Sequence, residues 1–354
     1  MYEQLGLDIA PREASLILGL VIGLIFGALA EVSRFCFRRI VAGPRSERRS
    51  AAGVWFAALA VAVIGTQFAV AQDLISFEDH RFFASDLPWL AITLGGLAFG
   101  AGMVLTRGCV SRLTVLAGTG NLRALIVLLA FAFVAHATLK GVLAPVRTTL
   151  GAVTVPLENA ALPGNPLIWT ALITIAALAI ALRSGARTRD LILGALIGAL
   201  VPAAWVGTGY VLFDEFDPIA LESLSFTSPA AETLFWGIAS SSIPAGFGVG
   251  LLGGVFAGAL VLSVLFGRFQ WQSFESPRQT GRYLAGAALM GVGGVLAGGC
   301  TMGAGLSGIP TLSIAAIIAI GSIAVGGTVT ARLLRDGLPS NGAKHTTQSP
   351  QPTA

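Results

Sequence analysis

The chain has 354 residues, of which 55% are hydrophobic and only 11% charged, and its mean hydropathy is +0.80. An ordinary soluble domain carries roughly 25% charged residues, so a soluble protein is excluded and a polytopic membrane protein is expected. The net charge of +4 is small and confined to alternate loops, so it reports topology and implies no nucleic-acid partner.

A membrane-spanning helix needs roughly 20 mostly apolar residues. Nine stretches approach that length, at 14–34, 51–72, 88–107, 121–143, 166–183, 190–212, 244–266, 283–299 and 310–334. The first follows an acidic leader, 1–13, with Glu3, Asp8 and Glu13. Without a basic start or an A-x-A site it reads as the first span and not as a cleavable signal peptide. Arginines cluster after the first span (Arg34, Arg38, Arg39, Arg45, Arg48, Arg49), around the third-to-fourth connection, and after the fifth, seventh and ninth spans. Acidic loops follow the second span (Asp73, Glu78, Asp79, Asp86) and the sixth (Asp214, Glu215, Asp217, Glu222). The alternation predicts the N-terminus outside and the C-terminus inside.

The count divides the chain into a first set of four spans at 14–143, a linker with the fifth span at 144–189, and a second set of four at 190–338. A polar tail at 339–354 is expected to be disordered. An odd span between two sets of four makes the second set cross in the opposite sense, which is an inverted repeat. The expected fold class is therefore an all-α polytopic membrane protein. It has about nine transmembrane helices plus four short re-entrant or interfacial helices, in two inverted repeats around a central path.

Two of those short elements carry the chemistry. The stretch 290–310, M-G-V-G-G-V-L-A-G-G-C-T-M-G-A-G-L-S-G-I-P, is apolar yet has too many glycines for one continuous helix, since each interior Gly costs roughly 1 kcal/mol relative to Ala. It should break near Cys300, run as a short re-entrant piece and restart after Pro310. The stretch 95–120 repeats the pattern and sets Gly108-Cys109 after another Gly-spaced apolar run. Broken backbone at membrane depth is tolerated only where it lines a cavity or path. Paired breaks in corresponding positions of two halves point to a substrate site.

The three cysteines, Cys36, Cys109 and Cys300, form no C-x-x-C pair, so a zinc site or a thioredoxin-type couple lacks its spacing. Buried cysteine is often only a small hydrophobe. At a helix break, however, a weak S–H donor beside a half-helix N-terminus suits a soft, sulfur-bearing anion that must be released again. Arg107 and Arg112 flank Cys109 and read equally as attractors of an anion and as anchors at the end of a span. Gly108 and Gly299 are expected to permit close backbone approach beside each thiol. With Thr301, these residues make up the candidate path. His136 and Lys140 lie one turn apart near the outer end of the fourth span, where snorkelling accounts for the lysine. Glu31 is expected to pair with Arg34 or Arg38, and Asp214, Glu215 and Asp217 to form an exposed loop. No phosphate-binding loop, H-E-x-x-H pair or serine nucleophile elbow is present, and no cofactor or metal is expected.

Four segments resemble the YeeE/YedE family of sulfur-compound transporters: F-C-F at 35–37, R-G-C-V-S-R-L-T-V-L-A-G-T-G-N-L-R-A-L at 107–125, D-E-F-D-P with S-L-S-F-T-S-P at 214–229, and L-M-G-V-G-G-V-L-A-G-G-C-T-M-G-A-G-L-S-G at 289–308. The resemblance spans nearly the whole chain. It implies a transporter, not an enzyme, of a bacterial inner membrane, with a periplasmic N-terminus and a cytoplasmic C-terminus. The implied activity is thiosulfate uptake along a path in which Cys36, Cys109 and Cys300 pass the ion on by S–H hydrogen bonds. Ala304 stands where relatives often carry a polar side chain, so a related reduced sulfur species is an alternative cargo. The implied partners are a small sulfur-containing anion and the lipid bilayer, with a soluble cytoplasmic sulfur-carrier protein as a candidate. The competing readings are a membrane thiol enzyme of sulfurtransferase type and a soft-metal permease.

Overall fold

A computed structural model describes residues 9–157 and 159–336. The leader up to residue 8 and the expected disordered tail lie outside the described residues. Thirteen α-helices follow in order: α1 (Pro11–Ser33), α2 (Arg38–Ala42), α3 (Arg45–Ala71), α4 (Trp89–Leu105), α5 (Val110–Gly118), α6 (Leu122–Lys140), α7 (Ala144–Gly151), α8 (Pro166–Arg183), α9 (Thr188–Val206), α10 (Thr227–Ala239), α11 (Phe247–Leu265), α12 (Pro277–Leu296) and α13 (Ile314–Asp336). A wide, π-type helical segment, Thr301–Gly308, lies between α12 and α13 and runs into a single 3-10 turn, Ile309–Thr311. The only strands among the described residues are β1 (Asp86–Leu87) and β2 (Val155–Pro156), paired antiparallel.

Among the described residues, nine segments are long and apolar enough to cross a membrane, and the protein is an all-α multi-pass membrane protein. Helix starts follow local rules. Pro166 opens α8 behind an Asn165 cap, and Asn121 Oδ1 accepts from the Ala124 amide at 3.0 Å at the start of α6. Pro277 opens α12 behind Ser276, whose Oγ accepts from the Gln279 amide. Pro202 lies inside α9, and a π-type turn, Gly207–Val211, closes that span.

Glycine decides how the helices pack. Gly19, Gly23 and Gly27 of α1 face the backbone of α11, and Gly250, Gly254 and Gly258 of α11 face the backbone of α1, so a Cβ at any of them would strike a main-chain carbonyl. In lipid such small-residue stripes replace the hydrophobic drive to associate with close van der Waals contact. Gly95 and Gly102 of α4 meet Gly293 and Gly286 of α12 in the same way.

The pairings recur in two sets. α1 packs on α11 as α9 packs on α3, and α4 packs on α13 as α12 packs on α6. α2 contacts α13 as α10 contacts α6, while α5 and the π-type segment contact α11 and α3 respectively. α8 stands outside this scheme, against α3. The bundle interior is filled by Phe26, Phe99, Phe131, Phe226, Met103 and Met290, all fully buried, with the Phe26 and Phe226 rings 5.5 Å apart.

One face, where α1 begins, carries the acidic loops, α7, α10 and the β1–β2 pair. The arginine-rich face lies opposite, tied by Arg123–Glu275 (3.2 Å) and by the Arg335 hydrogen bond to the Gly43 carbonyl. Glu31 pairs with neither Arg34 nor Arg38, contrary to expectation. Its carboxylate lies 3.8 Å from both Arg112 and Arg268, because α5 and the end of α11 pack against α1 and present their arginines to the buried acid.

Candidate functional site

Both Gly-Cys breaks have one local geometry. α4 ends at Leu105, Thr106 closes it, and Arg107 takes the left-handed conformation at φ 61°. α12 ends at Leu296, Ala297 closes it, and Gly298 is left-handed at φ 70°. A left-handed residue just past a helix end is the usual way to stop a helix. A glycine follows each time, and then the cysteine, extended, stands as the N-cap of the next element: Cys109 before α5 and Cys300 before the π-type segment.

The caps differ in what the thiol does. Cys300 Sγ accepts from the Gly303 amide at 3.5 Å. Cys109 Sγ lies 3.2 Å from Ser111 Oγ and is near the side chains of Cys36 and Thr301. The Gly-Cys breaks therefore come together, with Thr301, one residue beyond Cys300, adjoining the Cys109 thiol. Cys109 and Cys300 are buried and Cys36 is half-buried.

Gly299 has the tight surroundings expected of it, since a Cβ there would come within 3.0 Å of the Ala304 amide nitrogen. Gly108 does not. A Cβ there would meet first the Leu113 side chain, at 3.4 Å, which is ordinary contact. The asymmetry arises because Cys300 opens a π-type turn that folds back on Gly299, whereas Cys109 opens a regular helix.

Polar and charged groups gather on both sides of the two breaks. On the face where α1 begins, a vestibule of about 600 Å³ is lined by Arg81, His80, Trp205, Glu222, Ser225 and Ser307, and it reaches Gly303, whose amide holds Cys300. Burial, with Arg81 beside it, lowers the His80 pKa to about 4, so the ring is neutral at pH 7 and its Nδ1 accepts from the Phe82 amide. Burial first, and Glu232 second, push the Glu222 carboxyl up to about 7. Burial likewise raises Glu232. On the opposite face, Arg38, Arg107 and Arg282 gather near Cys36, and Arg112 is held by the Ala30 carbonyl and Glu31 beside Cys36 and Cys109.

The hydroxyls of Ser225, Thr227 and Thr301 and the indole N–H of Trp205 are buried without a hydrogen-bond partner. Buried polar groups in folded proteins are almost always satisfied. Unpartnered donors of this kind are free to hydrogen-bond a polar guest. Among the described residues, no three His, Cys, Asp or Glu side chains converge to hold a metal.

A family model described as sulphur transport matches residues 32–329, a stretch that includes all three cysteines and both breaks. The chain belongs to the sulphur-transport family. Among its relatives is the thiosulfate transporter TsuA of Escherichia coli (strain K12), 26% identical over 314 residues that cover 81% of this chain and 86% of that protein. The thiosulfate transporter TsuA of Spirochaeta thermophila is 26% identical over 318 residues, covering 85% and 93%.

In this sulphur-transport family member the sequence reading did not single out Arg81, Trp205, Ser225, Thr227 or Glu232 as site residues. Ser225 and Thr227 carried a faint signal, as hydroxyls alternating with Phe226 ahead of Pro229. Arg81 and Trp205 carried none, because a loop arginine and a span-end tryptophan are ordinary features of membrane proteins. His136 and Lys140 line a second cavity, of about 590 Å³, where His136 stacks on Phe235 with ring centroids 4.5 Å apart.

Proposed function

We propose that this protein takes up thiosulfate, or a related reduced sulfur anion, across a bacterial inner membrane. The face where α1 begins is outside and the arginine-rich face inside, as the loop charges require. The carrying observation is the series of donors at the junction of the two breaks: the Ser225 hydroxyl beside the vestibule, Cys300, Thr301, Cys109 and Cys36. The relatives' name, thiosulfate transporter, supports the same cargo.

An oxyanion leaving water must exchange its hydration shell for protein donors. The amides at the starts of α5 and the π-type segment supply partial positive charge, and each thiol supplies a weak, easily surrendered S–H bond. Weak donors in series favour passage over capture. Arg81 draws the anion into the vestibule. Arg112 and the cluster of Arg38, Arg107 and Arg282 receive it on the inner side. That cluster is also where a soluble sulfur carrier would collect it. The two sets of spans, 14–143 and 190–338, act as inverted repeats joined by 144–189, and the recurring helix pairings support this division. The protein is not an enzyme in this reading, and Cys109 donates a hydrogen bond without forming a covalent adduct.

The experiment is uptake of labelled thiosulfate into vesicles that hold only this protein, with Cys109→Ser beside Cys109→Ala. Serine keeps a donor and retains part of the uptake, and alanine retains less. A persulfide trapped on Cys109 and formed at the rate of uptake would replace the relay with covalent chemistry.

A further inference from the structure

Glu222 and Glu232 stand between two cavities. Both carboxylates line the vestibule of Arg81, and both also line the second cavity, which holds Arg12, His136 and Lys140. They come from different elements: Glu222 from the loop ahead of α10, held to Thr208 Oγ1 through its own amide and carbonyl, and Glu232 from α10, where its carboxylate lies against Gly248 of α11. Neither makes an ion pair within 4.0 Å among the described residues. Arg12, which lines the second cavity, spends a guanidinium N–H on the Pro244 carbonyl.

The charges that face the pair are Arg81, with neutral His80 and Asp79, across the vestibule, and Arg12, Lys140, His136 and Asp217 across the second cavity. With Asp79 and Asp217 nearby, two ionised carboxylates would leave four negative charges against the three of Arg81, Arg12 and Lys140, and would repel an arriving anion. Trp205, only 2% exposed, lines the same vestibule and keeps an unpartnered indole N–H. That donor is suited to the anion whose arrival the carboxylates oppose.

From this geometry we infer that Glu222 and Glu232 form a proton-binding site linked to the vestibule's anion site, so that anion binding beside Arg81 takes a proton from the outer solution onto the carboxylate pair. The inference rests on the proposed anion uptake and adds a second ligand, the proton. No bond other than O–H changes: a carboxylate oxygen gains the proton when the anion binds and returns it to solution when the anion leaves. Linkage is reciprocal, so whatever factor the proton adds to anion affinity, the anion adds to proton affinity. The raised Glu222 carboxyl lies in the range where this exchange is readable near neutral pH.

The test is calorimetric titration of the purified full-length protein with thiosulfate at pH 6 and pH 8, in two buffers of different ionisation enthalpy. Thiosulfate carries both charges throughout that range. Binding should be about tenfold tighter at pH 6, the size of a typical coupling, with net proton uptake at pH 7. Glu222→Gln should bind at both pH values as the parent does at pH 6, while His136→Gln should keep the parental pH dependence. Equal parental affinity at both pH values without proton uptake would overturn the inference, as would a pH dependence that follows His136. Absence of thiosulfate binding at either pH would instead overturn the transport reading beneath it. If Glu222→Gln does not fold, the buffer pair decides on the parent protein alone.

Discussion

Arg107 and Gly298 hold the same left-handed backbone conformation, φ 61° and 70°, each two residues before a buried N-cap cysteine. One member of the pair is the residue best suited to that conformation and the other is not. A non-glycine residue there costs roughly 1 kcal/mol, and at Arg107 the strained residue carries a guanidinium near Arg38 on the arginine-rich face.

Arg107→Gly is therefore expected to raise stability by about 1 kcal/mol and to lower thiosulfate uptake. Arg107→Asn, which tolerates the left-handed region but removes the charge, should lower uptake without that gain. Thermal unfolding in detergent and vesicle uptake read the two effects separately. Parental uptake in both variants would remove the guanidinium from the path.

The two path glycines should respond unequally. Gly299→Val places a branched side chain against the Ala304 amide and is expected to cost roughly 1–3 kcal/mol, abolishing uptake while leaving membrane insertion intact. Gly108→Ala meets only the movable Leu113 side chain and should change stability by about 1 kcal/mol or less, with uptake kept. Near-parental uptake by a well-expressed Gly299→Val would mean that this break does not line the path.

The raised Glu222 carboxyl makes stability depend on pH. The native state holds a proton that the unfolded chain releases at the ordinary carboxyl value of 4.5, and it keeps that proton until about 7. The Glu222 contribution is thus fully present below pH 4.5, falls as pH rises from there to about 7, and changes no further above it. Unfolding temperatures of the parent should decline across that window relative to Glu222→Gln. Parallel curves for the two proteins would show that the carboxyl titrates alike folded and unfolded.

Orientation has its own test. A cysteine introduced at Ser76, which lines the vestibule, should react with an impermeant maleimide in intact cells. One introduced at Ser276, the cap of α12, should react only after permeabilisation. The reverse pattern would turn the path around and make the arginine mouth the point of arrival.

The sequence by itself determined the nine spans, the alternation of their loop charges and the two breaks at Cys109 and Cys300. Each of these rests on local physics: apolar runs long enough for the bilayer, arginines retained on one side, and glycines too dense for a continuous helix. Only the tertiary structure decided which distant groups meet. It gave Glu31 to Arg112 and Arg268 and not to its neighbours in sequence. It brought Thr301 to Cys109, crowded Gly299 while leaving Gly108 slack, and assembled Arg81, Trp205 and Glu222 from three separate segments around one vestibule. Those pairings depend on how glycine-faced helices seat against one another across more than a hundred residues of chain, and no periodicity or spacing within a single segment encodes that seating.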